Sequence, residues 1–363
     1  MRGTDHQQSH VFSYLSPESR VRKDHPLRAM RTMVDEVLSR LSPQFNRMYA
    51  REGRPSIAPE KLLRAQVLQL LYSIRSERLL MEEIDYSILF RWFVGLNLDE
   101  EVWDATVFTK NRDRLLEAEV AKLFLAEVVE QAREKGFTSD EHFTVDGTLL
   151  EAWAGAKSFQ RKDGKNPPAS DDDPSNPTVN FHGERRSNRT HESKTDPEAQ
   201  LARKSEGKEA KLSYSGNLLV ENRNGLIVNA MVWEANGTAE RDTALVMLEQ
   251  IPGQRRLTVG GDKGFDTADF VAECRHLQVT PHVAQNHKRS GGSAIDERTT
   301  RHEGYGVSQR KRKRIEECFG WLKTIALLRK VRHRGLFKVD WVFTFACATY
   351  NLVRLRNLSV QAA

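Results

Sequence analysis

The 363 residues hold 56 Lys/Arg against 50 Asp/Glu, a net charge of +6 with a pI near 9.1, and 39% of them are hydrophobic. That balance supports real cores and allows two domains, while no uninterrupted apolar run approaches the length of a membrane span and MRGTDHQQSH lacks the apolar centre of a signal peptide. Cys274, Cys318 and Cys347 are odd in number and far apart, which argues against a disulfide framework and a paired-cysteine zinc site and for a reducing, cytoplasmic setting.

Residues 1 to about 25 are polar and predict little fixed structure. Leu27, Met30, Met33, Val34, Val37, Leu38 and Leu41 then recur at helical spacing, predicting a helix from Leu27 to Tyr49. Arg54-Pro55-Ser56 interrupts it, and Pro59 suits the first turn of the next helix, where its missing N–H costs nothing. One further helix is expected over Leu80 to Phe93, a loop over Gly95 to Asp104, and a helix from Phe108 to Lys135. Residues 1–135 thus read as an all-α N-terminal domain, and residues 136–363 as a second domain of mixed α/β type.

In the second domain, His142 to Asp146 alternates as a strand does and is expected to stop at Asp146-Gly147. A polar stretch from about 155 to 211 follows, with Asn166-Pro167-Pro168 and an Asp171-Asp172-Asp173 run. It is too long for an ordinary connection and reads as a mobile insertion. Strands Leu212–Glu221 and Leu226–Trp233 are joined at Asn222-Arg223-Asn224-Gly225, whose Asn-Gly signals a hairpin. A helix over Thr238–Gln250, a strand over Arg256–Gly260, a helix over Asp266–His276 and a strand over Val279–Ala284 complete a mixed sheet. Asp266 is expected to be the N-cap of its helix. A basic loop leads to a helix over Ser308–Lys330, and Val339–Leu355 gives a last one.

The chemistry gathers on that penultimate helix. From Ser308 to Arg334 there are ten Lys/Arg and two Glu, a surplus of eight, so the rest of the chain sums to −2. A basic charge so localised marks a surface for a polyanion. Gln309, Arg312, Glu316 and Lys323 are three, four and seven apart and share one helix face, while Ile315, Phe319, Leu322 and Ala326 form an apolar stripe. On its own, Glu316 reads as a partner for neighbouring arginines. It takes another meaning beside Asp146 and Asp262, each at the expected end of a strand, where ligands of α/β sheets bind. Three converging carboxylates repel one another unless cations neutralise them, and Mg²⁺ favours such oxygen ligands. Arg310, Arg312, Lys313 and Lys323 would hold phosphates alongside. Arg329, Lys330, Arg332, His333 and Arg334 extend the basic surface, and the six tryptophans read as core residues.

In these features the chain resembles the DDE transposases of bacterial insertion sequences, in the insertion-sequence-five group of the insertion-sequence-four superfamily. That superfamily carries Tyr, two residues, Arg, three residues, Glu, six residues, Lys; here Arg312, Glu316 and Lys323 match and Gln309 replaces the Tyr. TVDGTLLEAWA (144–154) and GGDKGFDT (260–267) resemble the family's two aspartate motifs, and GRPSIAPEKLLRAQVLQLLYSI (53–74) its helical N-terminal domain. The resemblance implies an RNase-H-like fold and a catalytic, metal-holding triad of Asp146, Asp262 and Glu316 with two Mg²⁺ ions, Mn²⁺ being a substitute. It also implies DNA contacts at Gln309 and the four cations. The partners it implies are double-stranded DNA, both terminal inverted repeats and target, and a second copy of the chain on that DNA. A stand-alone RNase-H-like nuclease and a non-cutting DNA-binding derivative are the alternatives.

Overall fold

A computed structural model describes residues 16–49, 52, 56–117, 119–164, 180–181, 184–205, 207–253 and 256–362. The N-terminal part is helical throughout: α1 (Pro26–Met48), α2 (Pro59–Leu71), α3 (Glu77–Tyr86), α4 (Ile88–Val94), α5 (Ala105–Glu117) and α6 (Val120–Glu134). Two helices expected to be continuous are broken. Ser87 ends α3 by donating its N–H to the Glu83 carbonyl and starts α4 by accepting from the Phe90 N–H. Glu119, at φ 53°, separates α5 from α6. Apolar periodicity continues through both breaks, so pattern alone does not reveal them.

The sheet is built on β1 (His142–Glu151), β2 (Lys211–Glu221), β3 (Ile227–Glu234), β4 (Leu257–Gly261) and β5 (Val279–Val283). β2 runs antiparallel to β1 and to β3, while β4 runs parallel to β1 and to β5. The spatial order β3-β2-β1-β4-β5, with only β2 reversed, is the RNase-H-like arrangement. The first three strands form the expected meander. Gly225, at φ +72°, closes the β2–β3 hairpin, and the buried Glu221 carboxylate accepts from the N–H groups of Arg223 and Asn224 inside the turn.

Both faces of the sheet are covered. On one face, α7 (Ala239–Glu249) and α8 (Ala268–His276) bury Phe143, Val145, Leu219 and Val259. On the other lie α10 (Ile315–Thr324) and α11 (Leu336–Ala362), over Leu150, Leu218 and Val220. α9 (Glu303–Lys311) precedes α10. α11 is buried nearly all round between Val339 and Leu355 and packs on α6 as well as β3, with the Phe124 and Phe345 rings 5.0 Å apart. One hydrophobic cluster therefore takes in both the N-terminal helices and this face of the sheet.

Three other expectations are corrected. The helix over Ser308–Lys330 is α9 and α10 joined by a 3₁₀ turn at Arg312–Arg314, and it ends at Thr324. Thr267 caps α8, accepting from the Phe270 N–H. Asp266 is instead fully buried and accepts from the N–H groups of Asn286 and Ala294, 20 and 28 residues on. The polar stretch is folded at both described ends: 159–161 pairs with 191–193, and 200–202 pairs with 211–213, the start of β2, which extends past the end of β3. Its Pro- and Asp-rich centre, 165–179, lies outside the described residues, as do 1–15 and 53–55. Cys274, Cys318 and Cys347 are buried and unpaired. Trp92 and Trp341 are core residues, whereas Trp153 and Trp233 are exposed. No described helix is long and apolar enough to cross a membrane.

Candidate active site

Asp146 sits in mid-strand, because β1 runs on to Glu151. What stops near it is the pairing with β4, whose last partners are Thr144 and Gly260. Beyond that point no strand pairs with β1 on that side until Glu151 bridges to Lys330, and the sheet opens beside Asp146. Asp262 lies just past the end of β4, where it caps a 3₁₀ turn by accepting from the Gly264 N–H at 2.7 Å. Period-two alternation sends Phe143 and Val145 into the core under α7 and α8, so Asp146 and Thr148 face α10. There Lys323 Nζ donates to Thr148 Oγ1 at 2.6 Å.

Asp146, Thr148, Asp262, Glu316 and Lys323 line one cleft of about 1130 Å³, above the roughly 300–1,000 Å³ of small-molecule sites. Glu316 stands exposed in the first turn of α10, which buries Ile315, Phe319 and Leu322 against the core. Arg203, Lys204 and Arg329 also line the cleft, and Lys204 and Arg329 lie within electrostatic reach of Lys323. Arg310, Arg312 and Lys313 are outside its lining. Arg312 Nε donates to Gln309 Oε1 at 3.0 Å, and Gln309 Nε2 donates to the His282 carbonyl at 2.6 Å. Within the basic tail, Lys330 pairs with Glu151 and Arg332 donates to the Ile74 carbonyl.

Burial and the nearby charges of Asp262 and Glu240 push the Asp146 carboxyl up to about 7, opposed by the Gly147 N–H and by Arg312. Glu240, in the first turn of α7, is raised by burial and by Asp262. It was not singled out from the sequence, where an acid at a helix start is the ordinary complement of the helix dipole. Its place is tied to Gly147: a Cβ there would lie 2.5 Å from Glu240 Cγ and 2.6 Å from Asn217 Oδ1, so the strand needs glycine beside Asp146. On the basic side, burial lowers Lys323, with Lys204 and Arg329 adding repulsion.

Among the described residues no three acid, histidine or cysteine side chains stand close enough together to hold a metal ion. The acids share a cleft without closing into a coordination shell. Their chemistry nonetheless fits a hard divalent cation: all donors are carboxylate oxygens, and Asp146 is raised by burial and then by its acidic neighbours, a cost that a bound cation would offset.

Two family models match the chain: a transposase domain (DUF772) over residues 15–114 and a transposase DDE domain over residues 179–352. The second takes in Asp262 and Glu316 and begins after Asp146. None of the curated proteins matches the chain. Among solved structures, the piggyBac transposase synaptic complex with hairpin DNA aligns at a TM-score of 0.41 and 10% identity, covering 93% of this chain and 76% of that one. The Mos1 transposase paired-end complex with left transposon end aligns at 0.19 and 10% identity, covering 91% and 94%. The fold assignment rests on the strand order and not on these alignments. By its domain content, a transposase-type helical region followed by a transposase DDE domain, the chain belongs with the DDE transposases.

Proposed function

We propose that the chain cuts the ends of a transposable element and joins the freed 3′-hydroxyls to target DNA, within the insertion-sequence-five group. The observation that carries this reading is that Asp146, Asp262 and Glu316, borne on β1, the end of β4 and α10, line one cleft together with Lys323. The spacing of Gln309, Arg312, Glu316 and Lys323 supports the grouping.

Asp146, Asp262 and Glu316 would hold two Mg²⁺ ions, with Mn²⁺ as a substitute. Bound there, such a pair supplies an activated attacking oxygen and stabilises the leaving one. The protein's own part is to hold the scissile phosphate against the acids and to balance charge. Lys323 acts as a point charge anchored by Thr148, and Arg312 as a planar fork, with Arg310 and Lys313 gripping the DNA backbone further out. The helical part, residues 1–135, recognises the terminal repeats or joins two copies on DNA, and residues 136–363 carry the chemistry.

Strand transfer of pre-cut element ends into a plasmid, with Mg²⁺, tests the proposal. Wild type should give joined products, which a plain nuclease does not. Asp146→Ala, Asp262→Ala and Glu316→Ala should each lower joining by at least about a thousandfold while retaining DNA binding. Joining at wild-type rates by all three variants would remove the assignment.

A further inference from the structure

We infer that Gln309 is a positioning residue, which ties Arg312 to a buried anchor between strands and does not itself meet DNA. The inference rests on reading Arg312 as a phosphate-holding cation. Both polar ends of the Gln309 amide are already engaged: Nε2 donates to the His282 carbonyl at 2.6 Å, and Oε1 accepts from Arg312 Nε at 3.0 Å. The amide supplies the one donor and the one acceptor that these two bonds require.

The anchor is well built. Ser308, the preceding residue, is 1% exposed, and its Oγ lies 2.8 Å from His142 Nε2 and 2.7 Å from His282 Nδ1. His142 opens β1 and His282 lies in β5, so the end of α9 is held to the strands on both sides of β4. Arg312 also comes close to β4, its Cβ lying 3.6 Å from the position a Cβ at Gly260 would take. With Nε engaged, the guanidinium plane is set. Its two terminal nitrogens have no hydrogen-bond partner among the described residues and are free to take a phosphate in bidentate fashion. Arg312 is also one of the charges that act on Asp146, so the plane held by Gln309 lies within electrostatic reach of the acids.

A double-mutant cycle on DNA affinity tests this. The probe is a fluorescent duplex of arbitrary sequence, titrated with the full-length chain, and thermal melting checks that each variant is folded. Arg312→Ala should weaken binding roughly tenfold and Gln309→Met, which keeps the length and removes both hydrogen bonds, roughly fivefold. The Gln309→Met/Arg312→Ala chain should bind no more weakly than Arg312→Ala alone. Combined with Arg310→Ala, the Gln309→Met loss should instead multiply in full. If the Gln309 and Arg312 losses multiply, Gln309 touches DNA directly or supports the surface in general, and the inference is overturned. Normal affinity of Gln309→Met alongside weakened Arg312→Ala also overturns it. Normal affinity of Arg312→Ala removes the phosphate reading beneath it.

Discussion

Asp146 bears the largest electrostatic cost in the cleft, and that cost has a sign. Its carboxyl is held at about 7, against 3.8 ordinarily, by burial and by Asp262 and Glu240. Between those values the folded chain keeps a proton that the unfolded chain releases, so stability falls as pH rises from about 4 to about 7. Asp146→Asn removes this cost. Without divalent ions the variant should melt higher than wild type above pH 7, by up to about 4 kcal/mol of stability, with the difference fading toward pH 4. Mg²⁺ should then raise the melting temperature of wild type and not of the variant. A difference independent of pH would show that Asp146 is not under this strain.

Asp146 and Asp262 stand out in the sequence because each ends a run rich in β-branched residues and has a glycine close behind it, although only Asp262 precedes a turn, β1 running straight on through Gly147. Glu240 is not, since nothing local separates a helix-start carboxylate that serves the dipole from one folded over Gly147 against the cleft. Only the crossing of α7 over β1 makes that distinction. The engagement of Gln309 with His282 was equally hidden, because its acceptor is a backbone carbonyl 27 residues away.

At the scale of elements, the strands were readable and the breaks between helices were not. β1, β4 and β5 show period-two alternation, and Asn, Gly or Asp follows β2 and β4, signals that lie in or beside the strand itself, although β1 runs on to Glu151 past the Asp146-Gly147 expected to end it. The turn at Arg312–Arg314 has no such signal: Lys and Arg favour helix, and the tightening is accompanied by the contact of Arg314 with the Arg223 carbonyl and by packing of the turn on β1. Asp266 shows the same limit in another form. A cap at its position was a sound local inference, but Thr267 does that work, and the Asp266 carboxylate fixes the segment around 286–294 through two backbone N–H groups. Asp266→Ala would leave both part-buried donors without their acceptor and should cost about 1–3 kcal/mol, with faster amide exchange from residue 285 to 295. Unchanged exchange there would contradict the role given to Asp266.

Across the whole molecule, the change from helices to sheet near residue 135 was plain in the sequence, while the course of the core was not. α11 lies more than 200 residues from α6 in the chain yet packs on it, and the apolar cluster runs from α1 through α11 to β2 and β3 without a gap. The polar stretch from about 155 to 211 also contributes more than its composition suggested. Its described end adds an edge strand to β2 and carries Arg203 and Lys204 to the wall of the cleft. The cleft thus draws its lining from β1, the polar stretch, β2, the start of α7, the end of β4, α10 and the segment after it, and brings acids and cations together. Crystals of the full chain grown with Mn²⁺ and a DNA duplex, and read by anomalous scattering, test the central claim most directly. The account predicts manganese in the cleft with oxygens of Asp146, Asp262 and Glu316 all at ligand distance, about 2–2.5 Å. Manganese bound elsewhere, or held by the aspartates with Glu316 turned out of the coordination shell, would contradict it.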